Sequence, residues 1–424
     1  MAHLKMSEEE EINHDESIVN IDDDASLSTL ETQEVENLKK KATYRIAFFI
    51  SIPAFMGYAC CFSLQKRLSY VFGLTEGVSG TRLSFIYGIG VSFVFFFNLI
   101  FRVLGHNIIF GFLHPRNRVI AAFFSLIIGM ILLSVLSLQN TTQNVIWVFI
   151  CYAFVGACGG SFGPNMLTVV NNLGDTRLYV VLAMPSGVAC ITIVSFVLMA
   201  IGIPFQAFYI VTAVLSVISM ITYLFTIYPA NKKFESSAPH QTKFDFKSFL
   251  NDLKEIKTWF PKIWKHAFVF LINMICISMF NPGCTLYAYQ NRVTFRLLNV
   301  IVKHELFMFL YNLGGFIGDF FSRKVMNKKR IVSPILFFVL HLFGITINLS
   351  LIPEIAPFAA FMFMWANGGL YVQSTKLISE LFKENYHLTA TSTWLFIGDV
   401  GSTSGSNLIQ PIRPYIDLLK SSMF

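Results

Sequence analysis

Apolar residues fill most of this chain in runs of about 20, the length that crosses a hydrocarbon core as a helix. Short polar breaks separate the runs. They predict eleven helices, over 44–64, 82–104, 117–138, 144–168, 178–202, 205–228, 266–288, 297–322, 331–352, 355–376 and 388–410. Gly202–Pro204 makes the break between the fifth and sixth. The longest polar interval, 229–265, divides six spans (42–228) from five (266–412), leaving residues 1–41 as an acidic tail and 413–424 as a short C-terminal end. The expected fold class is an all-α polytopic membrane protein of about eleven transmembrane helices.

Composition agrees. Hydrophobic residues make up 54% of the 424 and charged ones 13%, about half the charged share of a soluble domain. Phe is abundant, at 45 residues, and stripes such as Phe93–Phe97 read as lipid-facing or packing bulk. Charge sets the orientation. Residues 1–40 hold 12 of the 25 acids and three of the 32 bases, so the rest carries 29 bases against 13 acids. With the N-terminus inside, inner segments hold 23 bases, or 24 with Lys5, and outer segments eight. The positive-inside rule then predicts a cytoplasmic N-terminus and an outer C-terminus. The basic excess suits anionic lipid rather than nucleic acid. The acidic start is no secretory signal and reads as a solvated tail. In the central interval, Phe244 to Trp264 repeats apolar residues at helical spacing among lysines. That pattern is either an amphipathic helix at the inner membrane face or a plain connector.

Several chemistries find no support. There is no GxxxxGK[ST] phosphate loop, no HExxH and no GxSxG. The seven Cys show no CxxC or Cys/His metal spacing and read as buried packing residues. No metal and no cofactor is expected. A many-span chain with interrupted helices and no catalytic constellation reads as a secondary transporter.

The candidate chemistry concentrates in His304–Arg330, HELFMFLYNLGGFIGDFFSRKVMNKKR. Asp319 and Arg323 lie one helical turn apart on one face. An acid at membrane depth is costly unless paired or wetted, and so marks function by default; alternatively the pair neutralises itself and braces the helix. Asp399, on the last span, and Glu305 are further acids, open to a proton or ion role or to simple pairing. Helix breakers fall at Pro164, beside Asn165; at Pro185, before Ser186–Gly187; at Pro282–Gly283; and at Asn367–Gly368. Each reads as a hinge or a close crossing.

The order of these motifs resembles the equilibrative nucleoside transporters. The resemblance rests on Asp319-x-x-x-Arg323 in span eight, Pro282–Gly283 ending span seven, Asn367–Gly368 in span ten and Ser186–Gly187 in span five. It spans about 42–412 with short motifs. It implies facilitated diffusion of nucleosides or nucleobases by alternating access, with Asp319 and Arg323 lining the pathway or gating it. Asn165 and Tyr58 are the nearest matches to the family's span-four amide and span-one polar–aromatic element, and both depart from its pattern, as a divergent member would. Gly315-x-x-x-Asp319-x-x-x-Arg323-Lys324 also fits the loop motif of the major facilitator superfamily, a cytoplasmic latch, so the expected arrangement is 6+5 and major-facilitator-like. A major-facilitator-type or battenin-like transporter of another small solute is the alternative, the battenin-like proteins sharing the glycine-rich stretch Gly368–Gly405; proton coupling stays open, and a receptor or scaffold is the alternative of another class. The expected partners are a small-molecule permeant and the bilayer, with the chain acting as a monomer, and the reading favours the plasma membrane over endomembranes.

Overall fold

A computed structural model describes residues 45–73, 82–102, 112–139, 145–170, 173, 176–237, 246–280, 285, 292–295, 299–382 and 386–423. Eleven long helices carry the fold among these residues. The first six are α1 (Arg45–Ser63), α2 (Arg82–Ile100), α3 (Pro115–Leu138), α4 (Val145–Val170), α5 (Thr176–Ala200) and α6 (Gln206–Phe225). The other five are α7 (Ile256–Met279), α8 (His304–Lys328), α9 (Pro334–Leu349), α10 (Ala356–Leu381) and α11 (His387–Met423). Six of them, α1 and α3 to α7, are long and apolar enough to cross a membrane by length and composition. The protein is an all-α polytopic membrane protein with a major-facilitator-like arrangement.

Local chemistry explains the helix ends. Pro115 and Pro334 open α3 and α9, where the missing N–H costs nothing. Glu305 sits in the first turn of α8 and Lys328 in the last, each favoured by the helix dipole. Lys376 of α10 donates to the carbonyls of Asn327 and Lys329, closing the same helix end. Gln373 takes the N–H of Val332 and donates to Met326 O, which ties the α8–α9 turn to α10.

The halves repeat one another. On α5, a side chain at Gly187 would strike Ile52 O, Phe55 Cβ and Met56 N of α1; on α11, one at Gly401 would strike Leu271 O, Met274 Cβ and Ile275 N of α7. Gly160 of α4 seats against Asn98 O of α2, as Gly368 of α10 seats against Asp319 O of α8. Small residues at these crossings let backbones touch, which is how helices associate where lipid offers no hydrophobic drive. Parallel repeats of this kind, α1–α5 echoed by α7–α11, are an architecture of secondary transporters. The halves meet along two seams, α5 against α8 and α2 against α11.

The structure corrects three boundaries. The expected span from 297 does not start as helix: Arg292–Phe295 and Val300–Lys303 pair as antiparallel strands β1 and β2, and α8 begins at His304. The β-branched residues Val293, Thr294, Val300, Ile301 and Val302 favour that outcome, and Asn299 takes the left-handed turn position at φ 51°. The stretch Phe244–Trp264 is not one surface helix. A helix over Phe246–Lys254 ends at Glu255, and α7 starts at Ile256 with Trp259 and Ile263 buried in protein. Its polar residues dock on the start of α11, Asp252 Oδ2 accepting from Thr389 Oγ1 at 2.7 Å and Glu255 from Tyr386. Finally, α11 runs on as helix through Pro411 and Pro414 to Met423.

Candidate functional site

Asp319 and Arg323 are buried on α8, and the i,i+4 spacing joins them in a two-pronged contact. Arg323 Nε donates to Asp319 Oδ1 at 2.9 Å and Nη2 to Oδ2 at 3.0 Å. Bidentate geometry of this kind suits a planar guanidinium against a carboxylate. Asp319 also accepts from Asn367 Nδ2 at 3.4 Å, and Asn367 Oδ1 accepts from Asn273 Nδ2 at 2.7 Å, so α7, α8 and α10 share one polar chain. Gly368 lets α10 approach closely enough for it. The guanidinium lies 4.6 Å from the centroid of the Tyr371 ring, a cation–π contact that gains strength away from water. Tyr371 in turn packs edge-on against Trp394, which stacks on Phe270 at 4.3 Å.

Arg323 crosses the seam between the halves. Its Nη1 donates to Val181 O of α5 at 3.1 Å, and Nη2 reaches Met184 Sδ at 3.7 Å. The sequence explains why that carbonyl is free. Its intrahelical donor would be the N–H of residue 185, four positions on, and that residue is Pro185. A second irregularity acts alike: α5 winds as a π-helix over Cys190–Ser195, and Thr192 O there accepts from Asn312 Nδ2 of α8 at 3.3 Å. π-Turns free backbone groups and cluster at functional sites. The breaks in α5 thus supply acceptors to α8.

The other seam holds an ion pair. Asp399 of α11 meets Arg102, two residues past the end of α2: Nε donates to Oδ2 at close range and Nη2 to Oδ1 at 3.3 Å. Asn98, one turn before Arg102, donates to Asp399 Oδ1 at 3.0 Å and accepts from Arg102 Nη2 at 3.1 Å. Asn98–Arg102 is the counterpart of Asp319–Arg323 in the internal repeat. Tyr58 of α1 borders this pair: a Cβ on Gly159 of α4 would lie 3.4 Å from Asn98 Oδ1 and 3.8 Å from Tyr58 Cδ2.

Among the residues singled out from the sequence, Asp319, Arg323, Asn367 and Gly368 are thus brought together at one seam and Asp399 and Tyr58 at the other, and Pro185 serves the first group through Val181. Others are not. Asn165 is buried and donates to Ser161 O of its own helix beside Pro164. Glu305 pairs with the partly exposed Arg67 at 3.0 Å, at the far end of α8 from Arg323. Pro282 and Gly283 lie outside the described residues. Arg102 and Arg177 were not singled out from the sequence, yet both make contacts inside the fold. Arg177, the second residue of α5, donates to Thr375 O of α10 at 2.9 Å and to Ser379. The missed signal is the Asn98–Arg102 spacing, which repeats that of Asp319–Arg323. Among the described residues no cluster of His, Cys, Asp or Glu is arranged to hold a metal.

Two helical halves related by an internal repeat, with buried polar pairs at their seams, define the class: a polytopic protein of major-facilitator-like fold. Solved structures agree on the fold. A point mutant of the peptide transporter POT in complex with sulfate superposes with a TM-score of 0.57 at 13% identity, covering 90% of this chain and 92% of that one. The POT mutant bound to alafosfalin gives 0.54 at 14%, covering 90% and 91%. POT itself with sulfate gives 0.55 at 13%, covering 90% and 92%. No protein-family model and no curated protein matches the sequence.

Proposed function

We propose that this chain is a secondary transporter that carries a small polar solute across a membrane by alternating access. The observation that carries the reading is the pair of buried arginine–aspartate contacts at the seams between two repeated halves. Rocking of one half against the other exposes a site near the middle of the bilayer first to one side and then to the other. Such motion has to part Arg323 from Val181 O and Arg102 from Asp399. In this reading Asp319 and Arg323 act chiefly as a latch: Arg323 is five residues from the end of α8 and Val181 five from the start of α5, so both lie about 7 Å inside the same end of the bundle. The N-terminus is taken as cytoplasmic from the distribution of basic residues, and the latch then closes the cytoplasmic end.

The likeness of fold to POT, whose structures hold alafosfalin and sulfate, favours a peptide or another polar solute. The nucleoside or nucleobase reading keeps one observation of its own: Asp319–Arg323 with Asn367–Gly368 beside it, against the planar face of Tyr371, is a set that can hydrogen-bond a base edge or ribose while stacking a ring.

Uptake into proteoliposomes separates these. Labelled alanyl-alanine, uridine, adenosine and hypoxanthine are supplied at two external pH values, with Asp319→Asn alongside. One of the four is expected to enter saturably, and Asp319→Asn to slow it by about tenfold or more, since it loosens Arg323 from its partner. Accumulation that follows an imposed proton gradient identifies a coupled transporter; equilibration without accumulation identifies a facilitator. No saturable uptake of any probe by correctly inserted protein sinks the transporter reading.

A further inference from the structure

The two arginine–aspartate contacts differ in one respect that decides what each can do. Asp319 and Arg323 sit on one helix, so the pair survives any rigid movement of the halves. Arg102 belongs to the first half and Asp399 to the second, and side-chain exposures of 8% and 9% put this pair out of water. When the α2–α11 seam opens, Arg102 keeps Asn98 Oδ1, its neighbour one turn away. Among the described residues Asp399 then keeps no side-chain donor, because Asn98 and Arg102 both belong to the first half. Opening therefore strands a carboxylate and half-strands a guanidinium, and an unpaired buried charge is among the costliest features a core can carry.

We infer that the Arg102–Asp399 pair is a lock that the permeant itself replaces, and that it selects permeants of zero net charge. This rests on the transporter reading above and goes further, to the chemistry of what is carried. The replacement has to donate to Asp399 and accept from Arg102 at once. A solute with a donor beside an acceptor does both: a zwitterion, a vicinal diol, or the amide-like edge of a heterocycle. A net anion satisfies Arg102 and leaves Asp399 bare; a net cation does the reverse. Asn98 is a positioning residue, holding the guanidinium in place through the exchange. Tyr58 borders Asn98 across Gly159 and so sits beside the point of exchange.

The test uses purified full-length protein in lipid nanodiscs. Spin labels are attached through p-acetylphenylalanine at the exposed positions Phe112 and Leu381, one in each half, and their distance distribution is measured. Asp399→Asn and Arg102→Gln are expected to raise the minor, separated population about tenfold or more, and Glu380→Gln, a surface control, to leave it unchanged. If a single variant fails to fold, the double variant Arg102→Gln/Asp399→Asn, which buries no unpaired charge, carries the measurement with the same expectation. An unchanged distribution in the folded variants overturns the lock. On the wild type, millimolar uridine or alanyl-alanine is expected to shift the distribution. Uridine 5′-monophosphate, acetyl-alanyl-alanine (a net anion) and alanyl-alaninamide (a net cation) are expected not to. Equal shifts from charged and neutral members of a series overturn the selection, and so does silence from every neutral probe. Failure of uptake alone, with the variants behaving as stated, removes the transporter reading and leaves the lock standing.

Discussion

Arg323→Met is expected to destabilise the folded protein by about 3–5 kcal/mol, the range seen when one member of a buried pair is removed. The loss exceeds that of any single hydrogen bond because three things go together. Asp319 loses its bidentate partner, and among the described residues Asn367 at 3.4 Å is the one other side-chain donor to it. Val181 O, which Pro185 already deprives of its helical N–H, loses the donor that replaced it. The Tyr371 face loses its cation. Methionine preserves much of the stem volume, so packing changes little and the effect reads charge. The measurement is an unfolding titration with sodium dodecyl sulfate in mixed micelles. The decisive comparison is Arg323→Met/Asp319→Asn, which buries no unpaired charge and is expected to regain most of the loss. Equal losses in the single and double variants would show that the cost lies in the cross-seam bond to Val181, not in the stranded carboxylate.

How much of this was legible beforehand depends on the range over which the information acts. The helices were, because each span is written in one contiguous apolar run; α3 to α6 lie within a few residues of their expected ends. The Asp319–Arg323 contact was, because i,i+4 spacing on a helix is local geometry. Its second half was not: nothing in α5 marks Val181 as the acceptor until Pro185 is set opposite α8, which takes the tertiary fold. For a related reason Arg102 was not singled out. A base at the end of an apolar run looks like a membrane anchor, and only the partner 297 positions away, Asp399, turns it into a core residue. Val300–Lys303 was read as helix because hydropathy does not separate an apolar strand from an apolar helix, although its β-branched run carried the information. The internal repeat escaped notice because it is kept as contact geometry, glycine against a carbonyl, rather than as sequence identity.

Those glycines yield the second large effect. Gly368→Ala is expected to remove uptake and to lower stability by about 1–3 kcal/mol, the usual cost of forcing an extra methyl into a filled site. An added Cβ there would meet the Asp319 carbonyl at 2.5 Å, with Ser322 Oγ and Asp319 Oδ1 closer still. Side chains can swing aside, but the carbonyl is helix backbone, so α10 itself has to retreat. That retreat carries Asn367 and Tyr371 away from Asp319 and Arg323, and the site loosens with the packing. Gly315→Ala on α8 is the control. Its nearest neighbours would be Met364 Cγ at 3.4 Å and Ala360 Cβ at 4.0 Å, which is ordinary contact, and alanine favours a helix over glycine by up to about 1 kcal/mol. It is expected to be neutral or stabilising. Gly160→Ala should repeat the Gly368 result on the other seam, because its Cβ would strike Asn98 O and displace the residues that hold Arg102. Thermal unfolding in detergent ranks the three variants. If Gly315→Ala were to cost as much as Gly368→Ala, the penalty would belong to glycine in these helices generally, and the close crossing at Asp319 would lose its claim to position the site.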